Sequence, residues 1–283
     1  MKILNDEKYI YFGKYPQSIV DDKELIKKLD MMTITNSLGY NEYKGNEYKK
    51  EIANPCESDY TFSNGETIVK GKTYYFKVEP IKWIILETKE NEYKLLSECI
   101  LDTLEFDISD FDREINGNIV YPNSYQYSII RAWLNDYNVK NYNRVDYVGT
   151  GFITLAFSNE ERKLIKNHKL AISDNIEIED KIYLLSFDDI TNSSYGFSND
   201  PETLDMERRA TITDYSLSKH CWMNNEIDSD YYKKGFWWLR SPYEDSFKIF
   251  VKAIDINGYV TFMDVRNERL NGVRIAVDIK KDI

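Results

Sequence analysis

The chain reads as one α+β domain whose first and last strands pair around a set of short helices. Three observations carry this. Strand-like runs lie at both ends, one at 9–16 and four after residue 235. Helical spacing and helix-start signals are confined to short segments between them. No internal repeat or low-complexity linker divides the 283 residues, a length that buries one large core.

The elements follow in order. YIYFGKYP (9–16) alternates and ends at Pro16, as a first strand does. DDKELIKKLD (21–30) is one short helix, and the broken polar stretch after it reads as hairpin pieces, with Asn64-Gly65 as a tight turn. Together they form an insertion at about 20–72 within a single domain spanning 1–283; treating that stretch as its own unit is the alternative. YYFKVEPIKWIILET (74–88) and EYKLLSECI (92–100) form a β-hairpin. Residues 101–125 read as loop. SIIRAWLNDY (128–137) has the apolar spacing of an amphipathic helix, and Ser158 to Glu161 is a capping box opening another. KIYLL (181–185) is a strand, Ser186 to Asp189 caps a helical turn, and 213–219 is a further short helix. FWWLRS (236–241), FKIFVKAID (247–255), YVTFMDV (259–265) and GVRIAVDI (272–279) are the closing strands, with Asn257-Gly258 turning the second into the third.

Composition narrows the function classes. Lys and Arg number 37 against 48 Asp and Glu, a net charge of −11 that repels phosphate backbones and argues against a nucleic-acid partner. No run approaches a membrane span, and Asn5 to Lys8 interrupt the first apolar residues, so a cytoplasmic protein without a membrane partner is expected. Cys56, Cys99 and Cys221 are an odd number at wide spacing, which suits a reducing compartment rather than a disulfide framework. No Gly-rich phosphate loop is present among the 12 glycines, and two histidines supply poor material for zinc.

Three constellations stand out. Asp110, Asp112, Glu114 and Asn116, with Asp107 before them, imitate the first half of a calcium loop; the twelfth position from Asp112 is Asn123 where a bidentate Glu is needed. Ca²⁺ is thus the one cofactor the chain offers to hold, against the plainer reading of a solvated acidic loop. The stretch from Trp222 to Tyr243 interleaves aromatic rings with Asn224, Asn225, Asp228 and Asp230, a mixture that suits sugar faces and protein hot spots. Trp237 and Trp238 belong to a strand, so Trp222, Asn224, Asn225, Tyr231 and Tyr232 are the expected ligand contacts. Arg240 and Arg274 sit in apolar strands and need carboxylates or carbonyls around them; they pin the fold or bind an anion. His220-Cys221 is the only His–Cys neighbour pair, and adjacent strand residues point to opposite faces, which disfavours a Cys nucleophile.

FGKYPQS (12–18), YYFKVEPIKWIIL (74–86), IIRAWLN (129–135), AFSNEE (156–161), KIYLLSFDDI (181–190), WWLRSP (237–242) and GVRIAV (272–277) occur in this order. As a set they resemble a widespread bacterial domain-of-unknown-function family, with Ile275 where that family usually has Pro. The family is similar to the C-type lectin-like fold, which includes sulfatase-modifying-factor enzymes and variable receptor-binding proteins of phage. The resemblance implies paired terminal strands and a ligand face made by loops of the C-terminal half. The copper-binding Cys pair of the enzyme branch matches none of the three cysteines, so no catalytic residue is carried over. The expected function is therefore non-enzymatic binding of a protein or carbohydrate by the loops 101–125 and 222–235. An enzyme of the sulfatase-modifying kind, with a metal or reactive thiol at Cys221 or Cys99, is the alternative; a structural module forming a homo-oligomer is the third.

Overall fold

A computed structural model describes residues 8–173, 176–226, 229–244, 246–267 and 272–281; residues 1–7, which carry most of the localisation reading, and Asp228 lie outside them. The chain is mixed helix and sheet, with most of its order in strands.

β1 (Tyr9–Ile19) leads into α1 (Lys23–Asp30), capped by Asp22, whose carboxylate accepts from Glu24 and Leu25 N–H. β2 (Asn41–Tyr43) and β3 (Asn46–Ile52) are a hairpin, followed by the long β4 (Thr73–Thr88) and β5 (Glu92–Ser97). Then come β6 (Asp102–Thr103) and a small hairpin of β7 (Arg113–Ile115) and β8 (Asn118–Val120). Four short helices occupy the middle: α2 (Ile129–Leu134), α3 (Lys140–Asn143), α4 (Phe152–Ala156) and α5 (Asn159–Leu164). β9 (His168–Ser173) and β10 (Ile176–Asp180) pair with each other, and β11 (Ile182–Tyr183) precedes α6 (Phe187–Ile190) and α7 (Asp214–Ser218). β12 (Trp237–Pro242), β13 (Phe250–Ile254), β14 (Val260–Asp264), β15 (Gly272–Val273) and β16 (Ala276–Lys280) close the chain.

β4 organises the larger sheet. Phe76 pairs with both Ile19 of β1 and Lys49 of β3, and Ile84 with both Tyr9 of β1 and Leu96 of β5. A strand has two edges, so β1 runs along one and β3 and β5 share the other. Pro80 falls in the interval between β3 and β5, where its missing N–H costs no ladder bond on that edge. β16 pairs with β5 on one side and β11 on the other. The first and last strands therefore lie in the same seven-stranded sheet but do not pair, contrary to the expectation above, because the β4–β5 hairpin stands between them.

β14, β13, β12, β15 and β6 form a second, five-stranded sheet, antiparallel except for the parallel contact of Trp237 with Gly272. The two sheets are joined by the last strand, which splits at Arg274-Ile275 and passes from the second sheet as β15 to the first as β16. The core between them is aromatic: Trp83, Trp237 and Trp238 are fully buried, and each indole N–H finds a carbonyl, on Phe12, Arg208 and Leu104 respectively.

Candidate functional site

Pro122-Asn123-Ser124 is stapled across the start of β13: Asn123 N–H donates to Lys248 O (3.1 Å) and its side-chain amide to Phe250 O (3.1 Å). This staple, followed by the Ser128 cap of α2, delivers Tyr125 inward as a fully buried ring. Opposite lies Arg240 at the end of β12. Its backbone N–H donates to Leu185 O, and Nη1 donates to Leu184 O (2.7 Å) and to Asp189 Oδ2 (2.8 Å). Asp189 is held in turn by the Ser186 capping box and lies 3.5 Å from Lys94. Burial acts to raise the Asp189 carboxyl pKa, but the Arg240 and Lys94 charges and the Ser186 bonds outweigh it and bring it down to about 2.

Between these walls and β9 is a cavity of about 190 Å³, lined by Tyr121, Asn123, Tyr125, Ile172, Arg240 and Pro242 among others. Two buried polar atoms of its lining have no hydrogen-bond partner: Arg240 Nε and Tyr125 Oη. Arg240 is only 9% exposed and Tyr125 1%, so bulk water does not satisfy these atoms. Burial raises the Tyr125 hydroxyl well above its ordinary pKa, with the nearby Asp180 acting in the same sense, and it remains a proton donor. Two residues of the cavity wall thus each keep a buried donor without an acceptor.

Beneath the cavity runs a polar layer. His168 Nδ1 and Tyr183 Oη both reach Asp278, and the imidazole stacks on the Tyr183 ring at 4.5 Å. Burial opposes ionisation of Asp278, but these bonds and the Lys94 charge outweigh it and lower its pKa. Arg131 grips Asp180 through Nε (2.8 Å) and Nη2 (2.9 Å).

The 222–235 loop is spent differently from expectation. Asn224 pairs with Lys233 and Lys234 through backbone bonds, making a ribbon that lies on the insertion. Tyr60 Oη bonds both N–H and C=O of Met223 at 3.0 Å, Asn225 donates to Asp59, and Tyr232 Oη is 3.3 Å from Thr61 Oγ1. Trp222 packs edge-on against Phe236, and Tyr231 lies under the Arg209 guanidinium. All five predicted contact residues are half-buried, and the Asn224 side-chain oxygen accepts from Glu226 N–H.

Residues 90–281 match the family model of a domain of unknown function, DUF6273. The chain belongs to that family. No curated protein and no solved structure matches it. The DUF6273 match takes in Tyr125, Asp189 and Arg240 and leaves out β1 to β4.

In this DUF6273 protein the four residues of the calcium reading are spread along the β7–β8 hairpin and the segment before it. Asn116-Gly117 is the hairpin turn, Asp112 and Glu114 face solvent, and Asp110 is paired with Arg266 at 2.9 Å. Among the described residues no three His, Cys, Asp or Glu side chains stand together as metal ligands. Asp107 turns inward to Arg113 (2.7 Å). A turn signal at Asn116-Gly117 was legible in the sequence; periodicity over three-residue strands is too short to read.

Two of the three thiols, Cys221 and Cys99, have raised pKa values. Cys221 is completely buried and burial pushes its thiol up to about 12. His220 Nδ1 is turned to Asn54 O at 3.1 Å. Burial also raises the Cys99 thiol, and Glu98 adds to it. Arg274 is buried with its donors on Ser97 O (2.9 Å) and Arg208 O (3.1 Å), and burial lowers its pKa to about 10. Residue typing alone missed Tyr125, since one tyrosine among 23 carries no signal, and Arg208, whose guanidinium is enclosed by carbonyls of Ile190, Ser198, Asp200 and Gly258. No helix among the described residues is long and apolar enough to cross a membrane.

Proposed function

We propose that this protein is a non-enzymatic binding domain whose ligand enters the cavity between Tyr125 and Arg240. The observation that carries this reading is a cavity too small for a whole cofactor whose wall residues, Arg240 and Tyr125, each keep a buried donor without an acceptor, Nε and Oη. Cofactor and drug-sized sites run from about 300 Å³ upward, so 190 Å³ suits a single side chain. A protein is favoured over a carbohydrate by the neighbouring surface. Tyr121 of the cavity wall and Ile119 just before it are exposed, and Tyr243, next to Pro242 of the wall, stacks on the exposed Phe262 at 4.0 Å. Phe and Ile offer no hydrogen bonds to sugar hydroxyls, whereas aromatic and aliphatic surface around a polar pocket is the usual make-up of a protein hot spot. A C-type lectin-like ancestry belongs with this reading. The last strand crossing both sheets supports it, and the separated terminal strands depart from it.

The test is selection of peptides from a display library on the wild-type protein, followed by affinity measurement on Tyr125→Phe and Tyr121→Ala. Loss of at least about tenfold in affinity on Tyr125→Phe, with the melting curve unchanged, is the expected result. Selected peptides that bind both variants as tightly as wild type would remove the cavity from the reading.

A further inference from the structure

A groove lies between α1 and the β2–β3 hairpin, in the stretch before the residues that match DUF6273. It encloses about 310 Å³. Small-molecule sites begin at about 300 Å³, so this space suits a compound of one ring rather than a lone side chain. Its floor is apolar: α1 brings Leu25, and the hairpin brings Tyr43 and Tyr48. Tyr48 belongs to a small second core with Val20, Leu29 and Tyr75, against which Leu25 and Tyr43 pack while staying half-buried. Local rules set both walls. Asp22 caps α1, and Lys44 and Gly45, at φ +50° and +78°, make the two-residue turn between Tyr43 and Asn46.

The rim is charged, and its acids are already engaged. Asp22 Oδ1 accepts from Glu24 N–H (2.9 Å) and Leu25 N–H (3.1 Å), at the positive end of the helix dipole. Glu24 pairs with Lys27 (2.8 Å). The hairpin acids Glu42 and Glu47 each accept from Asn36 at 2.9 Å and stand outside the lining. The lysines are not so engaged. Lys28 and Lys44 both line the groove, and among the described residues neither has a carboxylate at ion-pair distance. Lys44 Nζ lies 5.4 Å from the Tyr43 ring centroid, so the charge sits against the aromatic wall. The Tyr48 hydroxyl has no hydrogen-bond partner among the described residues. Burial raises its pKa, with Asp22 and Tyr43 adding to it, and it stays a proton donor. An apolar floor, a hydroxyl donor and two lysines open to an ion pair complement a molecule with a ring and an anionic end.

We propose that this groove binds a small aromatic carboxylate, its ring on Leu25, Tyr43 and Tyr48 and its carboxylate met by Lys28 and Lys44 at the rim. One negative charge is the fit, because Asp22 and Glu24 remain in the lining and repel a dianion. The site is independent of the cavity at Arg240, and neither proposal needs the other.

The experiment is an NMR titration of the full chain, followed at backbone amides, with four probes: 3-phenylpropionate, its neutral amide, 2-phenylethylammonium and acetate, at matched ionic strength. Saturable shifts centred on residues 22–28 and 43–48 are expected for 3-phenylpropionate. The amide is expected to bind at least about fivefold more weakly, the ammonium more weakly still, and acetate not to saturate. Lys28 and Lys44 are exposed, so Lys28→Gln combined with Lys44→Gln is expected to leave the melting temperature and amide binding unchanged. The same double substitution should bring the acid down to the affinity of the amide. Absence of saturable shifts at the groove, equal binding of acid and amide, tighter binding of the ammonium, or wild-type affinity for the acid in the double variant overturns the proposal.

Discussion

At the scale of single residues, the informative groups are those whose bonding is incomplete or whose space is already full. Tyr125 is the clearest test of the first kind. A buried tyrosine whose hydroxyl donates a hydrogen bond loses about 1 kcal/mol on mutation to Phe, but the Tyr125 hydroxyl has only the Leu184 N–H beside it and no acceptor for its own proton. Tyr125→Phe is therefore expected to leave unfolding free energy unchanged or raise it, read from urea melts; a loss beyond about 1 kcal/mol would mean that the hydroxyl holds the fold. Gly13 tests the second kind. It sits at φ +66° where β1 slips register, and a Cβ there would lie 2.5 Å from Phe157 Cε1 and 2.8 Å from Ala156 O. Gly13→Ala meets both backbone strain and backbone crowding, so a loss of at least about 2 kcal/mol is expected in the same melts. Arg240 and Arg274 were legible in the sequence because a charge inside an apolar strand is conspicuous. Arg208 and Arg209, as buried as Arg274 and Arg240 respectively, were not, because their neighbours in the sequence are polar and their burial comes from segments remote in the chain.

Elements were legible where a local rule decides them. Capping boxes open α5 and α6 where Ser158–Glu161 and Ser186–Asp189 predict them, and the β4–β5 hairpin spans nearly the residues its alternation predicts. The run 272–279 reads as one strand, yet it divides at Arg274 because the two halves bond to different sheets, a choice made by tertiary partners. The packing of the 222–235 loop was hidden for the same reason: its partner, the 54–61 segment, is distant in sequence. α6 shows how much one element rests on a distant charge. The Asp189 carboxyl is held down to about 2 by Arg240 and Lys94 against its burial. A depressed carboxyl stabilises the fold above its unfolded pKa of about 4, and that stability is lost as pH falls from there through about 2. Asp278 adds to the same acid limb; Asp107 and Asp180, raised by burial despite Arg113 and Arg131, oppose it. Asp189→Asn isolates its own share: a loss of at least about 2 kcal/mol at pH 7, vanishing toward pH 2, in urea midpoints followed against pH. Parallel curves for the two proteins across that range would remove the linkage.

Over the whole molecule, the terminal thirds are bound into one another through β4. The family match begins at residue 90, after β4 has ended, and so describes a unit that is incomplete as a fold. β5 would keep β16 on one edge and lose β4 on the other, exposing the unpaired edge of a six-residue strand. The core would lose Trp83, Phe76, Ile81 and Tyr15, and α4 and α7 would lose the surface of β1 on which Phe152 and Tyr215 pack against Tyr15. Asp102 would lose the Tyr15 hydroxyl at 2.5 Å and keep only Lys219 and its own turn. Each buried aromatic removed in this way costs about 3 to 5 kcal/mol, and a domain's whole margin is about 5 to 15. A fragment of residues 90–281 is therefore expected to show no cooperative thermal transition and to bind hydrophobic dyes, whereas the full chain melts as one unit. Adding residues 8–89 as a separate piece should restore the transition if the two halves meet through β4 as the strand pairings require. A fragment that melts cooperatively by itself, near the temperature of the full chain, would show that the second sheet and the central helices carry the fold and that β1 to β4 are a decoration upon it.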